Sequence, residues 1–433
     1  MLVEFRVKNF RSFRDEQVLS LVASSDTDLE GNCTTEGKMK LLKAAGIYGP
    51  NASGKSNLIK AIDIMRDIIL NSANYNPLAK LPIQPFLLDD ESQKEPSSFE
   101  VIFYHGDVRY QYGFTATSKR IHDEWLLAYP KGRAADKAQT WYHRTFGDDD
   151  WKPTPFLKGE KEPLKNKTRD NALFLSVAAQ WNNKQLTSVY EWFEKNLRVV
   201  PTKDHFRPVT AKLLLDTEKE EEVGKELYEF VTAALQKADL GIHGVNVEKL
   251  KFDRSAIRFP KDMPNELRER ALKNFEKKLQ PKVEMLHSNT LTNKDVSFPL
   301  EEESDGTQRF FHLMGLWLEA VGHGYTVLVD ELEASLHPLL TRELIKFIQN
   351  PENNKTGAQL IFATHDVTLL NPELFRRDQI WFTEKDKVAA TQLYSMSDYK
   401  EGKPRKGEAM QKGYLAGRYG AIPILEAFSI PNG

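Results

Sequence analysis

The stretch Gly49-Pro-Asn-Ala-Ser-Gly54-Lys55-Ser56 has the spacing G-x-x-x-x-G-K-[ST]. In such a loop, backbone N–H groups wrap phosphate groups, the lysine reaches the β- and γ-oxygens, and the hydroxyl ligates Mg²⁺. Residues 41–48 form an apolar run suited to a buried strand, and apolar residues recur between 56 and 69 with the period of a helix. Strand, loop and helix would place the phosphates at a helix N-terminus, where unpaired amides favour anions. The alternative is a glycine-rich turn that binds nothing.

A pair of acids near the other end of the chain would supply the second part of such a site. Residues 325–329 form an apolar strand that ends in Asp330 and Glu331. A carboxylate at this point can hold the water shell of Mg²⁺ beside a nucleotide. Its neighbour can polarise an attacking water as general base. Because paired acids also follow apolar strands by chance, the interpretation depends on the neighbouring motifs.

Three neighbouring motifs support the interpretation. Ahead of the acids, the stretch 303–308 reads Glu-Ser-Asp-Gly-Thr-Gln and opens a helical pattern. Its Ser304 and Gly306 would leave helix amides accessible to an anion, although an isolated Ser-x-Gly stretch is usually a helix cap. After the acids come Ser-Leu-His-Pro at 335–338 and an apolar run at 359–364 that ends in His365. A histidine after a strand is by itself more often a structural group.

This order of motifs resembles ABC-type ATPases of the RecF, OLD and SMC kind. Residues 5–13 resemble their opening strand, residues 303–308 their signature, and residues 413–423 a tail of the RloA-like branch. That branch includes ATPase subunits of antiphage systems such as PARIS, which work beside a separately encoded effector. The resemblance implies an α/β P-loop fold of ABC type, with a mixed core sheet, an antiparallel side sheet, a helical insertion and no long coiled coil. The signature departs from the Leu-Ser-Gly-Gly-Gln of transporters, which argues against a membrane pump subunit.

The resemblance also implies a role for individual residues in binding and hydrolysing ATP with Mg²⁺. Lys55 would bind the β- and γ-phosphates, Glu331 would activate the attacking water, and His365 would contact the γ-phosphate. Asp330 and Ser56 would hold the Mg²⁺. The ATP-binding loop would consist of Gly49, Pro50, Asn51, Ala52, Ser53, Gly54, Lys55, Ser56 and Asn57.

Two further assignments follow from the same resemblance. A glutamine normally senses the Mg²⁺, and Gln84 is the candidate, with Gln93 and Gln111 as alternatives. Ser304 and Gly306 would contact the ATP held by a second subunit, so that two chains sandwich two ATP molecules. The functional unit would then be a homodimer or a higher homo-oligomer. His337 would be an interface residue, and Arg11 would either approach the nucleotide or be a solvated strand charge.

Composition limits the compartment and the partners. The chain has 433 residues, 40% of them hydrophobic, and a formal net charge of −2, so no global field indicates nucleic acid or membrane binding. Its one cysteine, Cys33, cannot form an internal disulfide, which favours a cytoplasmic location. The sequence starts without the apolar core of a signal peptide, and no apolar stretch is long enough to span a membrane.

Pattern along the chain predicts three parts. Residues 1–130 would form an N-terminal ATPase lobe with three side-sheet strands between 99 and 129. Residues 131–285 would form surface excursions and a mainly helical insertion, with helices at 189–197, 211–238 and 264–285. Residues 286–433 would form a C-terminal lobe with the signature, the acids, the switch histidine, two strands and a helix at 414–428. The basic residues of 264–285 would either touch phosphate backbones or form a solvated amphipathic face.

Two functions remain open. The first is an ATP-driven DNA-binding clamp of RecF type, used in repair or recombination. The second is a nucleotide-gated sensor or scaffold in antiphage defence, which controls a separate effector such as a nuclease or toxin. The second is favoured because the chain has no coiled-coil arm and too few residues after His365 for a nuclease domain of its own. DNA remains a further candidate partner.

Overall fold

The computed structural model describes residues 1–131, 137–147, 151, 153–200, 209–217, 221–238, 241–250, 257–260, 263–278, 281–289, 291–292, 294–399 and 410–423. Tertiary contacts divide the chain into two units. Unit 1 consists of Met1–Thr202, Ala320–Glu333 and Thr341–Gly433. Unit 2 consists of Lys203–Glu319 and Ala334–Leu340.

The described part of the chain contains both strands and helices. The strands are β1 (Leu2–Lys8), β2 (Gln17–Ser20), β3 (Cys33–Glu36), β4 (Met39–Leu42), β5 (Ala44–Tyr48), β6 (Ser97–His105), β7 (Val108–Ala116), β8 (Ile121–Pro130), β9 (Gln139–Thr145), β10 (Leu197–Val200), β11 (Ile242–Glu248), β12 (Lys282–Asn289), β13 (Lys294–Pro299), β14 (Thr326–Val329), β15 (Gln359–Ala363), β16 (Ile380–Lys385) and β17 (Thr391–Ser395). The helices are α1 (Lys55–Asn71), α2 (Glu162–Lys167), α3 (Phe174–Gln180), α4 (Lys184–Glu191), α5 (Val209–Thr217), α6 (Glu221–Lys237), α7 (Asn265–Lys278), α8 (Asp305–His323), α9 (Pro338–Gln349) and α10 (Met410–Leu415).

The core of unit 1 is a six-stranded mixed sheet in the order β10-β14-β15-β5-β16-β17. In this sheet the neighbouring strands β10, β14, β15, β5 and β16 pair in parallel. Strand β17 pairs with β16 in antiparallel orientation at the edge. Every residue of β5, β14 and β15 is buried, as expected of central parallel strands that are covered on both faces. Helix α1 packs its apolar stripe, including Leu58, Ile62 and Met65, into this core, so the predicted helical period is confirmed.

A second six-stranded sheet, in the order β2-β1-β6-β7-β8-β9, is antiparallel throughout. Strands β6, β7 and β8 are the three that the sequence predicts between residues 99 and 129. The mixed core sheet and the antiparallel side sheet together confirm the predicted α/β fold class. Among the described residues, α8 is the longest helix at 19 residues, so this part of the chain contains no long coiled coil. None of the helices described here is long and apolar enough to cross a membrane.

The segment predicted as a mainly helical insertion, residues 131–285, contains strands as well as helices. Unit 2 holds a three-stranded antiparallel sheet, β11-β12-β13, beside α5 and α6. The predicted helix at 264–285 is wrong in its last turns, because α7 ends at Lys278 and β12 begins at Lys282. Pro281 has no N–H group to continue a helix. The following residues instead pair with β11 and β13.

Two other predicted helices have different bounds from those expected. The segment 189–197 holds the end of α4 and a π-helical turn at Trp192–Asn196, after which β10 begins. The tail helix predicted for 414–428 ends at Leu415, and residues 424–433 lie outside the described part of the chain. Beyond α10 the chain turns back, because the hydroxyl of Tyr414 donates to the carbonyl of Ala421 at 2.7 Å.

A fully buried carboxylate organises the start of α3. Glu124, on β8, is 0% exposed and forms an ion pair with Arg144, whose Nε lies 3.0 Å from its Oε2. It also accepts hydrogen bonds from two tyrosine hydroxyls and two backbone amides. These donors are Tyr112, Tyr142, Phe174 and Leu175. A buried charge is tolerated only when it is paired and hydrogen-bonded, and this network satisfies both conditions.

We expect Glu124→Gln to lower the free energy of unfolding of unit 1 by about 3–5 kcal/mol, because it leaves Arg144 without its buried partner. The NH₂ group of the new glutamine would also face hydrogen-bond donors that now donate to a carboxylate oxygen. Chemical denaturation followed by tryptophan fluorescence measures the change. Tyr112→Phe is the matched control, since it removes a single donor and should cost about 1 kcal/mol. Equal losses in the two variants would show that the ion pair contributes nothing beyond one hydrogen bond.

Candidate functional site

Three loops meet at one edge of the core sheet. Strands β5, β15 and β14 are neighbours and parallel, with Ile47 opposite Ala363 and Phe362 opposite Val329. Their C-terminal ends therefore lie side by side, which is where open α/β sheets bind ligands. The loops that follow carry the stretch 49–56, the acids at 330–331 and the histidine at 365.

The loop after β5 has a backbone that requires glycine at two positions. Gly49 and Gly54 have φ angles of 153° and 119°. A Cβ atom on Gly49 would collide with the carbonyl oxygen of Thr383, and one on Gly54 would collide with the side chain of Thr391. The loop ends at the first turn of the 17-residue helix α1, so the sequence pattern and the backbone agree on a phosphate-binding loop.

Polar side chains from the sheet edge hold this loop in place. The hydroxyls of Ser53 and Thr383 lie 2.6 Å apart, and the hydroxyl of Thr391 donates to the carbonyl of Ser53 at 2.7 Å. Asn57 donates to the hydroxyl of Ser12 at 2.8 Å. Ser12, Thr383 and Thr391 were not among the predicted site residues. The signal for Thr383 was a polar residue inside the otherwise apolar run 380–383.

Lys55 is folded back onto its own loop. Its side chain is only 5% exposed, and its Nζ donates to the carbonyls of Gly49 and Pro50 at 2.7 and 3.1 Å. Burial lowers the pKa of Lys55 to about 8, while the carboxylates of Asp330, Glu333 and Glu331 act in the opposite direction. The ammonium group therefore lies within electrostatic reach of the acids, and phosphate oxygens could replace the two carbonyls as its acceptors.

Two of the predicted Mg²⁺ ligands, Ser56 and Asp330, are in contact. Ser56 donates its hydroxyl hydrogen to Oδ1 of Asp330 at 3.0 Å, although the two residues are 274 positions apart. A hydroxyl and a carboxylate at a parallel sheet edge match the oxygen donors that Mg²⁺ prefers. The remaining ligands of Mg²⁺ are normally waters and nucleotide phosphates. These residues therefore fit the ion.

Glu331 and His365 complete the group. Glu331 adopts a left-handed backbone with a φ angle of 51°, which turns the chain sharply after β14. The side chain of His365 is largely exposed, and its partial desolvation and the charge of Lys55 lower its pKa from the ordinary value, against the opposing effect of the acids. The imidazole is therefore neutral near pH 7, and it can donate or accept one hydrogen bond.

Another acid, Glu333, joins the two loops. Its Oε1 accepts the backbone N–H of His365 at 2.5 Å. Glu333 was not among the predicted site residues. The available sequence signal for Glu333 was that it is the third acid within the four positions 330–333. The acidic and apolar residues there gave no indication of the group that Glu333 contacts.

The candidate Mg²⁺-sensing glutamines lie in different places. Gln84 lines a cavity of about 250 Å³ together with Arg11 and Asn57, and its carbonyl accepts the N–H of Arg11 at 2.8 Å. Gln93 donates to the carbonyl of Leu87, and Gln111 donates to Glu100 within the side sheet. Gln84 therefore shares a cavity with Asn57 of the first turn of α1, which keeps it as the candidate. Its role at the metal stays a prediction.

The signature residues belong to unit 2. The hydroxyl of Ser304 accepts the N–H of Thr307 at 3.1 Å, which makes it an N-cap of α8. A Cβ atom on Gly306 would lie 2.5 Å from the carbonyl oxygen of Ser335, so glycine is needed where α8 starts. The side chain of Ser304 is exposed. Ser304 therefore remains accessible to another molecule while it caps α8. Its contact with the ATP of a second subunit stays a prediction.

Comparisons with known proteins identify a family. Residues 44–371 match the family model described as "AAA domain, putative AbiEii toxin, Type IV TA system". The match starts at the first residue of β5 and ends beyond His365, so it spans every loop of the site. No curated protein matches the chain.

Solved structures add two similar chains. An SMC head bound to the C-terminal winged-helix domain of ScpA has a TM-score of 0.46 and 13% identity, with 91% of this chain and 97% of that chain covered. An SMC head domain with an extended coiled coil, bound to the C-terminal domain of ScpA from Pyrococcus furiosus, has a TM-score of 0.36 and 12% identity, with coverage of 91% and 96%. The family match covers more than half of the sequence, and the chain belongs to this AAA-domain family of ATPases.

Proposed function

We propose that this protein hydrolyses ATP with Mg²⁺ at sites that two copies of the chain complete together. The observation that carries the proposal is the 3.0 Å contact between Ser56 and Asp330. It joins the helix that follows the phosphate loop to the acids that follow β14. The family match supports an ATPase, and the geometry supports the roles of individual residues.

The residues divide the work of hydrolysis. Lys55 and the amides at the start of α1 would bind the phosphates, and Ser56 and Asp330 would hold the Mg²⁺. The bound ion would neutralise phosphate charge. Glu331 would take a proton from the attacking water, because it is the carboxylate next to the metal ligand. The neutral imidazole of His365 would donate a hydrogen bond to the γ-phosphate.

A second copy would be needed because of the signature. Ser304 and Gly306 lie at the N-terminus of α8, a 19-residue helix, where amides favour anions. The resemblance to RecF, OLD and SMC ATPases supports their contact with the nucleotide of a partner subunit. ATP would then act as the bridge between two chains, and its hydrolysis would release them.

The biological role that we propose is a sensor or scaffold in antiphage defence that controls a separate effector. The family description names a toxin of a toxin–antitoxin system, and the tail at 413–423 resembles the RloA-like branch. The tail packs on the core sheet, since Tyr414 and Tyr419 stack on Phe382 of β16. A cytoplasmic location and an effector encoded nearby belong to the same proposal.

We expect Glu331→Gln to keep ATP binding, to slow hydrolysis by at least about 100-fold, and to accumulate a closed multimer. The amide cannot take the proton from water but preserves the shape of the side chain. Phosphate release and light scattering with and without ATP measure the two effects.

Lys55→Ala is the control for this experiment. It should lose ATP binding, because no ammonium remains for the phosphates, and it should not form the multimer. If Glu331→Gln with ATP stays as dispersed in size as the nucleotide-free protein, the shared site does not exist.

The DNA clamp makes a different prediction, which depends on α7. Lys273 on this helix is exposed, whereas the side chains of Lys277 and Lys278 lie outside the described part of the chain. If phosphate backbones contact α7, duplex DNA should stimulate the ATPase, and changing all three lysines to Glu should abolish the stimulation. We expect the unmodified protein and the triple variant to show the same ATPase response to DNA. Loss of a response in the triple variant would favour the clamp.

The neighbouring gene offers an independent check on the role. We expect a nuclease-like or small toxic protein to be encoded next to this chain. Co-expression with that neighbour should reduce phage plating, and Lys55→Ala should restore it. A recombination operon in this position would contradict the defence role but would not contradict the proposed ATPase activity.

A further inference from the structure

The contact between Glu333 and His365 links the two loops that would act on the γ-phosphate. Glu333 lies two residues after Glu331, and its Oε1 accepts the main-chain N–H of His365 at 2.5 Å. A carboxylate that accepts an N–H group forms a short, charge-assisted hydrogen bond. The contact acts on the backbone of His365 and leaves its imidazole exposed.

Both sides of this contact are anchored in the sheet. On one side, Leu332 is fully buried and its N–H donates to the carbonyl of Ala363 at 3.2 Å. On the other side, the N–H of Thr364 donates to the carbonyl of Ile47 at 3.1 Å. The residues that flank the contact are therefore fixed, and Glu333 spans the short distance between them.

The second oxygen of Glu333 lies in a buried polar group. Its Oε2, the hydroxyl of Tyr48 and Oδ2 of Asp366 are each buried without a hydrogen-bond partner among the described residues. Tyr48 is 1% exposed and directly precedes Gly49. Burial and the charges of Asp366 and Glu333 hold the pKa of Tyr48 well above its ordinary value, so its hydroxyl keeps its proton and remains a donor.

This hydroxyl can donate to one carboxylate at a time. Both carboxylates lie close enough to act electrostatically on the Tyr48 hydroxyl. Tyr48 is the last residue of β5, and Glu333 and Asp366 lie in the segments that follow β14 and β15, so the three groups come from the three chain segments that form the site. Glu333 is the member that already holds the histidine backbone.

We propose that Glu333 is a positioning residue for ATP hydrolysis, which holds the backbone of His365 at a set distance from Glu331. The proposal rests on the proposed ATPase function. It assigns no contact between Glu333 and the nucleotide. Because misplacement of a catalytic group by about 1 Å can cost about 100-fold in rate, a bond that fixes two such groups is expected to affect turnover more than binding.

Glu333→Ala and Glu333→Gln form a matched pair. Alanine removes the acceptor, whereas glutamine keeps an oxygen of the same reach. We expect Glu333→Ala to lower kcat by about 10- to 100-fold with little change in KM for ATP, and Glu333→Gln to retain most of the activity. Glu343→Ala is the control, because Glu343 is an exposed residue that pairs with Lys346 on the surface of α9.

Hydrogen exchange gives a second readout that does not depend on activity. In the nucleotide-free protein, the amide of His365 should exchange faster in Glu333→Ala than in the unmodified chain, and Glu333→Gln should preserve the protection. If the protein hydrolyses no ATP but the exchange pattern holds, the ATPase assignment fails and the contact stands. If exchange rises in Glu333→Ala while kcat is unchanged, the positioning role is wrong.

Two further outcomes would also overturn the proposal. A raised KM with unchanged kcat would show that Glu333 contributes to binding. An equal loss in Glu333→Gln and Glu333→Ala would show that the charge acts, and not the acceptor position. If Glu333→Ala does not fold, Glu333→Asp replaces it, since a shorter side chain keeps the charge and withdraws the acceptor, with an expected intermediate loss of kcat.

Discussion

Parallel pairing of β5, β15 and β14 is the constraint on which the site depends. It places Ile47 beside Ala363 and Phe362 beside Val329, so the chain leaves all three strands at one edge. The loops that follow bring Ser56 within 3.0 Å of Asp330. A shift of one residue in either pairing would move a whole loop by about 3.3 Å and exchange the two faces of the strand. Full burial of these strands opposes such a shift.

Strands β16 and β17, on the side of β5 opposite to β15 and β14, also hold the phosphate loop in place. Thr383 on β16 and Thr391 on β17 contact Ser53, and both leave no room for a side chain at the two loop glycines. The antiparallel edge strand β17 therefore serves the site as well as the sheet. This arrangement keeps the loop ready for phosphates, while Lys55 is satisfied by carbonyls of the loop itself. Preorganisation of this kind reduces the cost of binding.

Predictions from the sequence succeeded where local pattern carries the structure, and failed where pairing decides. The period of α1 and the alternation in β6 to β8 were sufficient, because both elements bury one face. Leu197 was predicted as the last residue of a helix, yet it is the first residue of β10, since residues 197–200 pair with β14 over its whole length. The first residues of β12 were likewise predicted to be helical, yet they form a strand because β12 pairs with β11 and β13.

The sequence by itself determined the glycine positions, the lysine and serine that follow them, and the acids after an apolar strand, because each motif requires its residue types at fixed spacing. It did not determine that Glu333 holds the backbone of His365, or that Tyr48 lies with Glu333 and Asp366 in a buried polar group. Those relations join residues from separate strands, and no local pattern encodes the distance between them. Only the register of the parallel sheet decided which loops meet.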